Sequence, residues 1–189
     1  MNSEAMIDYG PLTGLIGSWH GDKGMDIAPE PDGVEQNPYY ETITFEAIGD
    51  VTNAEQQLIT ALFYRQQVSR KSNNQVFHDE CGYWMWDAEN SVVMHSLTIP
   101  RAVTLIAGGT YQGPDNSDNV VLTVTAKHND PDWQITQSPF MRDNAKTNAF
   151  HHQVTLSGDK LNYHETTTLE IYGAHFEHTD QNELKRKVT

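Results

Sequence analysis

The sequence predicts an all-β protein, a closed up-and-down barrel of about ten antiparallel strands. Apolar and polar residues alternate with a period of two in about eight segments, the pattern of strands with one buried face. Short polar turns separate those segments, and no long stretch has the 3.6-residue period of an amphipathic helix. The alternative is a two-sheet sandwich, which needs long crossing connections, and only residues 24–38 and 128–148 are long enough to supply them. Because closure also removes exposed strand edges, we favour the barrel.

The alternation identifies which side chains point inward. In "ETITFEAI" (41–48), Ile43 and Phe45 share one face, opposite threonine and glutamate side chains. In "NVVLTVTAK" (119–127), Val120, Leu122 and Val124 share a face in the same way. We expect these side chains to face the barrel interior. Similar alternation predicts strands at 57–68, 76–86, 91–98, 103–111, 150–157 and 161–171.

Turn residues mark the connections between these strands. Clusters rich in Asp, Asn, Gly and Ser occur at 87–90, 113–119 and 157–160, and "SGDK" at 157–160 is the strongest hairpin signal. Short helical turns are expected at "GPLTGLIG" (10–17), within "SPFMRDNAKTNA" (138–149) and in the C-terminal tail.

Length and charge limit the function. The 189 residues predict one domain over 1–189, with 1–11 as a loose N-terminal segment. With 12 Lys and Arg against 26 Asp and Glu, the formal charge is −14, which argues against nucleic acid or an anionic membrane as a partner. We see neither a run of about 18 apolar residues nor a signal peptide, and Cys81 has no second cysteine to pair with. These features predict a cytoplasmic protein without disulfides, and a homodimer is compatible with them.

The barrel prediction makes a small-molecule ligand in an internal cavity the expected partner. Nine histidines stand out as candidate binding groups. His175 and His178 have the spacing of a metal-binding pair on a helix, although no further ligand is near them in sequence, and they are also compatible with exposed tail residues or with a single axial ligand of a cofactor. His78 shares a strand face with Glu80, and it is either a hydrogen-bonded edge residue or part of a pocket. Composition and spacing leave these alternatives open.

Three stretches resemble the nitrobindin family, the haem-binding β-barrels related in shape to lipocalins and fatty-acid-binding proteins. "GSWHGDKG" at 17–24 is similar to the family's G-x-W-x-G-x-G opening, with Lys23 in place of the third glycine. "FHDECGYWMWDAENSVVMHS" with the later "GGTYQG" resembles the His-x-E-x-G-Y strand pair and its G-T-Y. "GDKLNYHETTTLEI" with "HTDQNELKR" resembles the final strands and the ligand-bearing tail.

The resemblance implies haem b in the open mouth of a ten-stranded barrel, with a tail histidine as the iron ligand. His178 is the expected ligand, with His175 as the second choice. The resemblance also implies that Phe77 and His78 lie on the distal side of the haem, with Ser96 and Leu97 completing that wall. The implied activities are binding of nitric oxide and haem-dependent isomerisation of peroxynitrite to nitrate. The alternative function is a haem-free carrier of a lipid or another small apolar ligand.

Two departures from the family lie at this expected site, and one is the region "LTIPRAVTLI" (97–106), which carries insertions and in which Pro100 bends the strand. In the other, the family's Tyr-Pro-Thr loop, which supplies a threonine near the haem, is replaced by the longer "MDIAPEPDGVEQNPYY". We therefore expect a reshaped or partly closed barrel mouth around 24–38.

Overall fold

The structure is a computed structural model that describes residues 7–114 and 119–187. Within these residues, the chain forms a 3₁₀-helix at Gly10–Leu15, eleven strands and one α-helix, α1, at Pro139–Asn144. The strands are β1 (Gly17–Glu30), β2 (Gly33–Asn53), β3 (Gln57–Arg70), β4 (Val76–Asp87), β5 (Val92–Ile99), β6 (Val103–Thr110), β7 (Asn119–Lys127), β8 (Ile135–Gln137), β9 (Ala145–Ser157), β10 (Lys160–Ile171) and β11 (Ala174–Arg186). The expected loose segment 1–11 and the expected turn 113–119 fall partly outside the described residues.

Ten of the strands close into an antiparallel barrel, which confirms the predicted fold. Strands β1 to β7 follow each other around the barrel, β7 pairs with β9, and β9, β10 and β11 continue until β11 pairs with β1. Strands β6 and β7 share only one residue pair, Gly108 with Thr125. The short β8 pairs with the start of β6 instead, from Val103 with Gln137 to Leu105 with Ile135.

Two polar segments form strands that the sequence did not predict. Residues 24–38 belong to a long hairpin, in which β1 extends to Glu30 and pairs with β2 from Gly33 onward. The C-terminal tail forms β11, so the helical turn expected there is wrong. Because β11 pairs with both β1 and β10, its backbone hydrogen bonds are satisfied on both sides without a helix.

The 3₁₀-helix Gly10–Leu15 fills one end of the barrel, and we name it the end plug. Leu12 and Leu15 are fully buried, and the indole Nε1 of Trp19 donates a hydrogen bond of 2.7 Å to the carbonyl of Leu15. The guanidinium group of Arg186 lies 4.3 Å from the centre of a Trp19 ring and donates to the carbonyls of Gly14 and Ile16. These contacts close this end, and each buried leucine contributes about 2 kcal/mol to folding.

The hydrophobic core extends from the end plug into the adjoining part of the barrel. The five side chains that the alternation placed inside are all buried there: Ile43, Phe45, Val120, Leu122 and Val124. Within residues 7–114 and 119–187, neither helix is long and apolar enough to cross a membrane.

Candidate functional site

A cavity of about 450 Å³ lies at the end of the barrel opposite the end plug. Strands β5 and β6 supply apolar side chains to its wall: Leu97, Ile99, Val103 and Leu105. Strands β1 and β11 supply Asp26, His178 and Asp180. Because β1 and β6 are five positions apart in a ring of ten strands, the apolar wall lies across the cavity from these polar groups.

His178 faces the cavity from β11 and is held by two carboxylates. Its Nε2 lies 2.7 Å from Oδ1 of Asp26 and 3.4 Å from Oδ2 of Asp180. Asp26 is almost completely buried, and its Oδ2 accepts a hydrogen bond of 3.1 Å from Asn37. Burial opposes protonation of His178, but the hydrogen bond to Asp26 and the charge of Asp180 outweigh it and raise the pKa of the imidazole. Burial also raises the pKa of Asp180, to about 6.

His175 is exposed and lies three positions before His178 on the same strand. Residues three apart on a strand point to opposite faces, whereas on a helix they share one. The interpretation of His175 and His178 as a metal-binding pair on a helix is therefore wrong.

A bulge in β4 brings two consecutive side chains into the cavity. His78 pairs with Val68 and Val76 pairs with Ser69, so Phe77 is an extra residue without a partner on β3. Both Phe77 and His78 line the cavity as a result. In a regular strand, only one of two neighbours faces the same side.

His78 begins a chain of buried hydrogen bonds. Its Nε2 lies 3.1 Å from Oε2 of Glu80, and Oε1 of Glu80 accepts a bond of 2.6 Å from the hydroxyl of Tyr64. The Tyr64 oxygen is in turn 2.8 Å from Nε2 of His95. Burial opposes the charge on both partners, but the bond to Glu80 raises the pKa of His78, and the bonds from His78 and Tyr64 lower that of Glu80.

The structure separates the two residues that the sequence placed on the next strand. Leu97 lines the cavity. Ser96 does not line it, because its Oγ accepts a hydrogen bond from the backbone N–H of Tyr83, an exposed residue. With no bulge at this position, Ser96 and Leu97 point to opposite sides of the wall.

A second network of buried hydrogen bonds centres on Glu41, next to the cavity wall that holds Asp26, His178 and Asp180. Both carboxylate oxygens of Glu41 accept bonds from the hydroxyl of Tyr163, at 3.0 and 3.1 Å, and Oε2 accepts one of 2.7 Å from Asn182. The Tyr163 oxygen also lies 2.6 Å from that of Tyr39. Burial raises the pKa of Glu41 to about 8, because these donors only partly replace water.

Two further histidines are buried in the core between the networks. His95 stacks on Trp84 with ring centres 4.3 Å apart, and His152 packs against the edge of His95. Nδ1 of His95 and both ring nitrogens of His152 lack a hydrogen-bond partner. Oε2 of Glu165 lies 3.3 Å from Nδ1 of His152, but the two atoms do not form a hydrogen bond. Burial lowers the pKa of His95 to about 3 and that of His152 to about 4, so both rings are neutral at pH 7.

A family model described as "THAP4-like, heme-binding beta-barrel domain" matches residues 8–186. The chain belongs to this family. The match confirms the family resemblance in the sequence, and it makes the protein a member of a family of haem-binding β-barrels. The crystal structure of Rv2717c from M. tuberculosis is similar, with a TM-score of 0.70 and 22% sequence identity over 94% of this chain and 95% of that chain. This likeness supports the fold. Comparison with curated protein sequences finds no match.

The family resemblance did not identify every polar group at this site of the THAP4-like barrel. Asp26 was missed because the segment 24–38 has no regular alternation. Glu41 was missed although it is in phase with Ile43 and Phe45 in "ETITFEAI". A carboxylate on the apolar face of a predicted strand is a usable signal for a buried polar site.

Proposed function

We propose that the protein binds haem b in this cavity, where His178 would hold the iron. The main observation behind the proposal is the hydrogen bond between His178 and the buried carboxylate of Asp26. Metal-binding histidines usually donate their second ring N–H to a carboxylate, which fixes the tautomer and the ring orientation. Because an ionised carboxylate only accepts, Nε2 of His178 donates to Asp26, and the neutral imidazole keeps its lone pair on Nδ1.

Other cavity residues fit the macrocycle and its substituents. Across from His178, the apolar side chains of β5 and β6 suit an aromatic ring system and exclude water from it. Arg70 and Arg101 also line the cavity, and guanidinium groups are suitable partners for two propionates. Arg70 is held 4.3 Å above the ring of Phe77 and donates a bond of 3.4 Å to Asn37, so its position is defined before a ligand binds.

When bound, haem b supplies an iron that binds small ligands such as nitric oxide and supports isomerisation of peroxynitrite to nitrate. The chain contributes apolar side chains that exclude water from the cavity, and one polar side chain, that of His78. Phe77 and Leu97 exclude water from the cavity, and His78 holds a proton between its ring and Glu80. A hydrogen bond from the His78 ring to a bound ligand slows the loss of that ligand.

A hemin titration of three proteins tests this function. We expect wild type and His175→Ala to show a saturable Soret band at one equivalent, and His178→Ala to bind at least tenfold more weakly. His175 is the matched control because it is an exposed histidine on the same strand. Equal loss in both variants, or no loss in either, would reject His178 as the ligand. No saturable binding by wild type would instead support a haem-free carrier of a small apolar ligand.

A further inference from the structure

Three side chains of types that bind metals lie close together on the cavity wall that β1 and β11 form. They are Asp26 from β1 and His178 and Asp180 from β11, and one ligand atom of each lies within 4.8 Å of the other two. We infer that this Asp–His–Asp cluster is a binding site for one divalent transition cation of the Zn²⁺ or Mn²⁺ class. The inference goes beyond haem binding and does not depend on it.

The spacing of the ligand atoms suits a cation. Two ligands bound to zinc at about 2.0 to 2.2 Å lie about 3.4 Å apart when the geometry is tetrahedral. Nε2 of His178 is 2.7 Å from Oδ1 of Asp26 and 3.4 Å from Oδ2 of Asp180. The second distance matches this spacing, and the first must lengthen by about 0.7 Å for all three atoms to surround one ion. One imidazole with two carboxylates is a donor set that Zn²⁺, Mn²⁺ and Fe²⁺ accept.

Asp26 is held in place by a hydrogen bond from a neighbouring side chain, as metal-binding carboxylates usually are. Asp26 is 4% exposed, and its second oxygen is held by Asn37, which also accepts the bond from Arg70. Hydrogen bonds behind a ligand fix its orientation and increase metal affinity. Asp180 is different, because within the described part of the chain its only polar contact is the 3.4 Å approach to His178. One of its carboxylate oxygens is therefore free to bind an ion.

The charge around the cluster favours a cation over an anion. Two carboxylates share one imidazole there, whereas Arg70 and Arg101 line the same cavity without an ion pair to either of them. A single imidazole can neutralise only one of the two carboxylates, and a divalent ion would offset the charge of both.

Cation binding and haem binding use His178 differently. A cation between the carboxylates takes the lone pair of Nε2, whereas haem iron needs Nε2 protonated toward Asp26 and the lone pair on Nδ1. The two uses require opposite tautomers of one imidazole. We therefore expect Zn²⁺ and hemin to compete for the same molecule.

Calorimetric titration of the haem-free protein with Zn²⁺ tests the cluster. We expect one equivalent to bind wild type, with the affinity at least tenfold lower in Asp180→Asn and in Asp26→Asn. His175→Ala and Glu177→Gln are matched controls, because both side chains are exposed on β11, and we expect their affinities to equal that of wild type. Binding that survives both aspartate variants, or that is lost in the controls, would overturn the inference.

A second measurement uses wild type alone and therefore does not depend on the folding of a variant. Substoichiometric Mn²⁺ should broaden the NMR signals of the His178 ring more strongly than those of exposed His175. Equal broadening of both rings would overturn the inference. Hemin titrations keep the two proposals apart. Failure of Zn²⁺ binding with normal hemin binding rejects only the cation site, and Zn²⁺ binding without hemin binding rejects only the haem proposal.

Discussion

At the scale of single residues, His78 faces the cavity because Phe77 is an inserted residue in β4. We expect His78→Leu to keep one-to-one hemin binding but to increase the dissociation rate of nitric oxide, because it removes a hydrogen-bond donor from the cavity wall. Stopped-flow spectroscopy measures this rate. His164→Leu is the control, since His164 is exposed on β10. An unchanged rate and an unchanged ferric spectrum would exclude contact between His78 and the bound ligand.

Glu41 makes the stability of the protein depend on pH. Its pKa is about 8 in the folded protein, and the usual value is 4.5. Between these values the folded chain holds a proton that the unfolded chain has released, so the free energy of unfolding falls as the pH rises. We expect Glu41→Gln to remove a slope of at most about 1.4 kcal/mol per pH unit between pH 5 and 8.

Urea unfolding at several pH values measures the slope for Glu41→Gln. Other buried carboxylates also titrate in this range, so the difference between variant and wild type is the informative quantity. Glu46→Gln is the control because Glu46 is exposed on the same strand, and it should leave the slope unchanged. Parallel curves for wild type and Glu41→Gln would mean that Glu41 is ionised in the folded protein.

At the scale of strands, β4 and β5 approach each other closely at Gly82. A Cβ atom at this position would lie 1.9 Å from the carbonyl oxygen of Ser96, which is backbone and cannot move aside. We expect Gly82→Ala to lower the free energy of unfolding by about 2 to 4 kcal/mol, as measured by denaturant titration. Gly33→Ala is the control, since no atom lies within 4 Å of its Cβ position, and a similar loss there would contradict this explanation.

The strands that the sequence predicted are those with apolar inward faces. Alternation located β7 at its observed bounds because Val120, Leu122 and Val124 all face the core. It missed β11, whose inward-facing side chains include His178 and Asp180 and show no apolar period. Part of the polar cavity wall therefore belongs to a strand that the alternation missed. The family resemblance nevertheless pointed to His178, which lines the cavity, whereas Asp26 reaches it only through the pairing of β1 with β11.

At the scale of the whole molecule, the end plug and the cavity occupy opposite ends of one barrel. We expect Leu12→Ala to cost about 2 to 5 kcal/mol of stability, because Leu12 is fully buried and its loss leaves a void. Hemin stoichiometry should not change, since the cavity lies at the other end. Denaturant unfolding and hemin titration measure the two quantities, with exposed Leu58→Ala as the control. Loss of hemin binding in Leu12→Ala would show that the two ends are coupled.

The junction between β6 and β7 has a consequence for the opening of the barrel wall. These strands share one residue pair, whereas the other neighbours around the barrel share six or more. Separating β6 from β7 therefore breaks fewer interstrand hydrogen bonds than opening the wall anywhere else, even with β8 attached to β6. Such a local opening is a breathing motion that leaves the rest of the barrel folded. We therefore expect the backbone amides of this junction to exchange with deuterium before those of the other strand pairs.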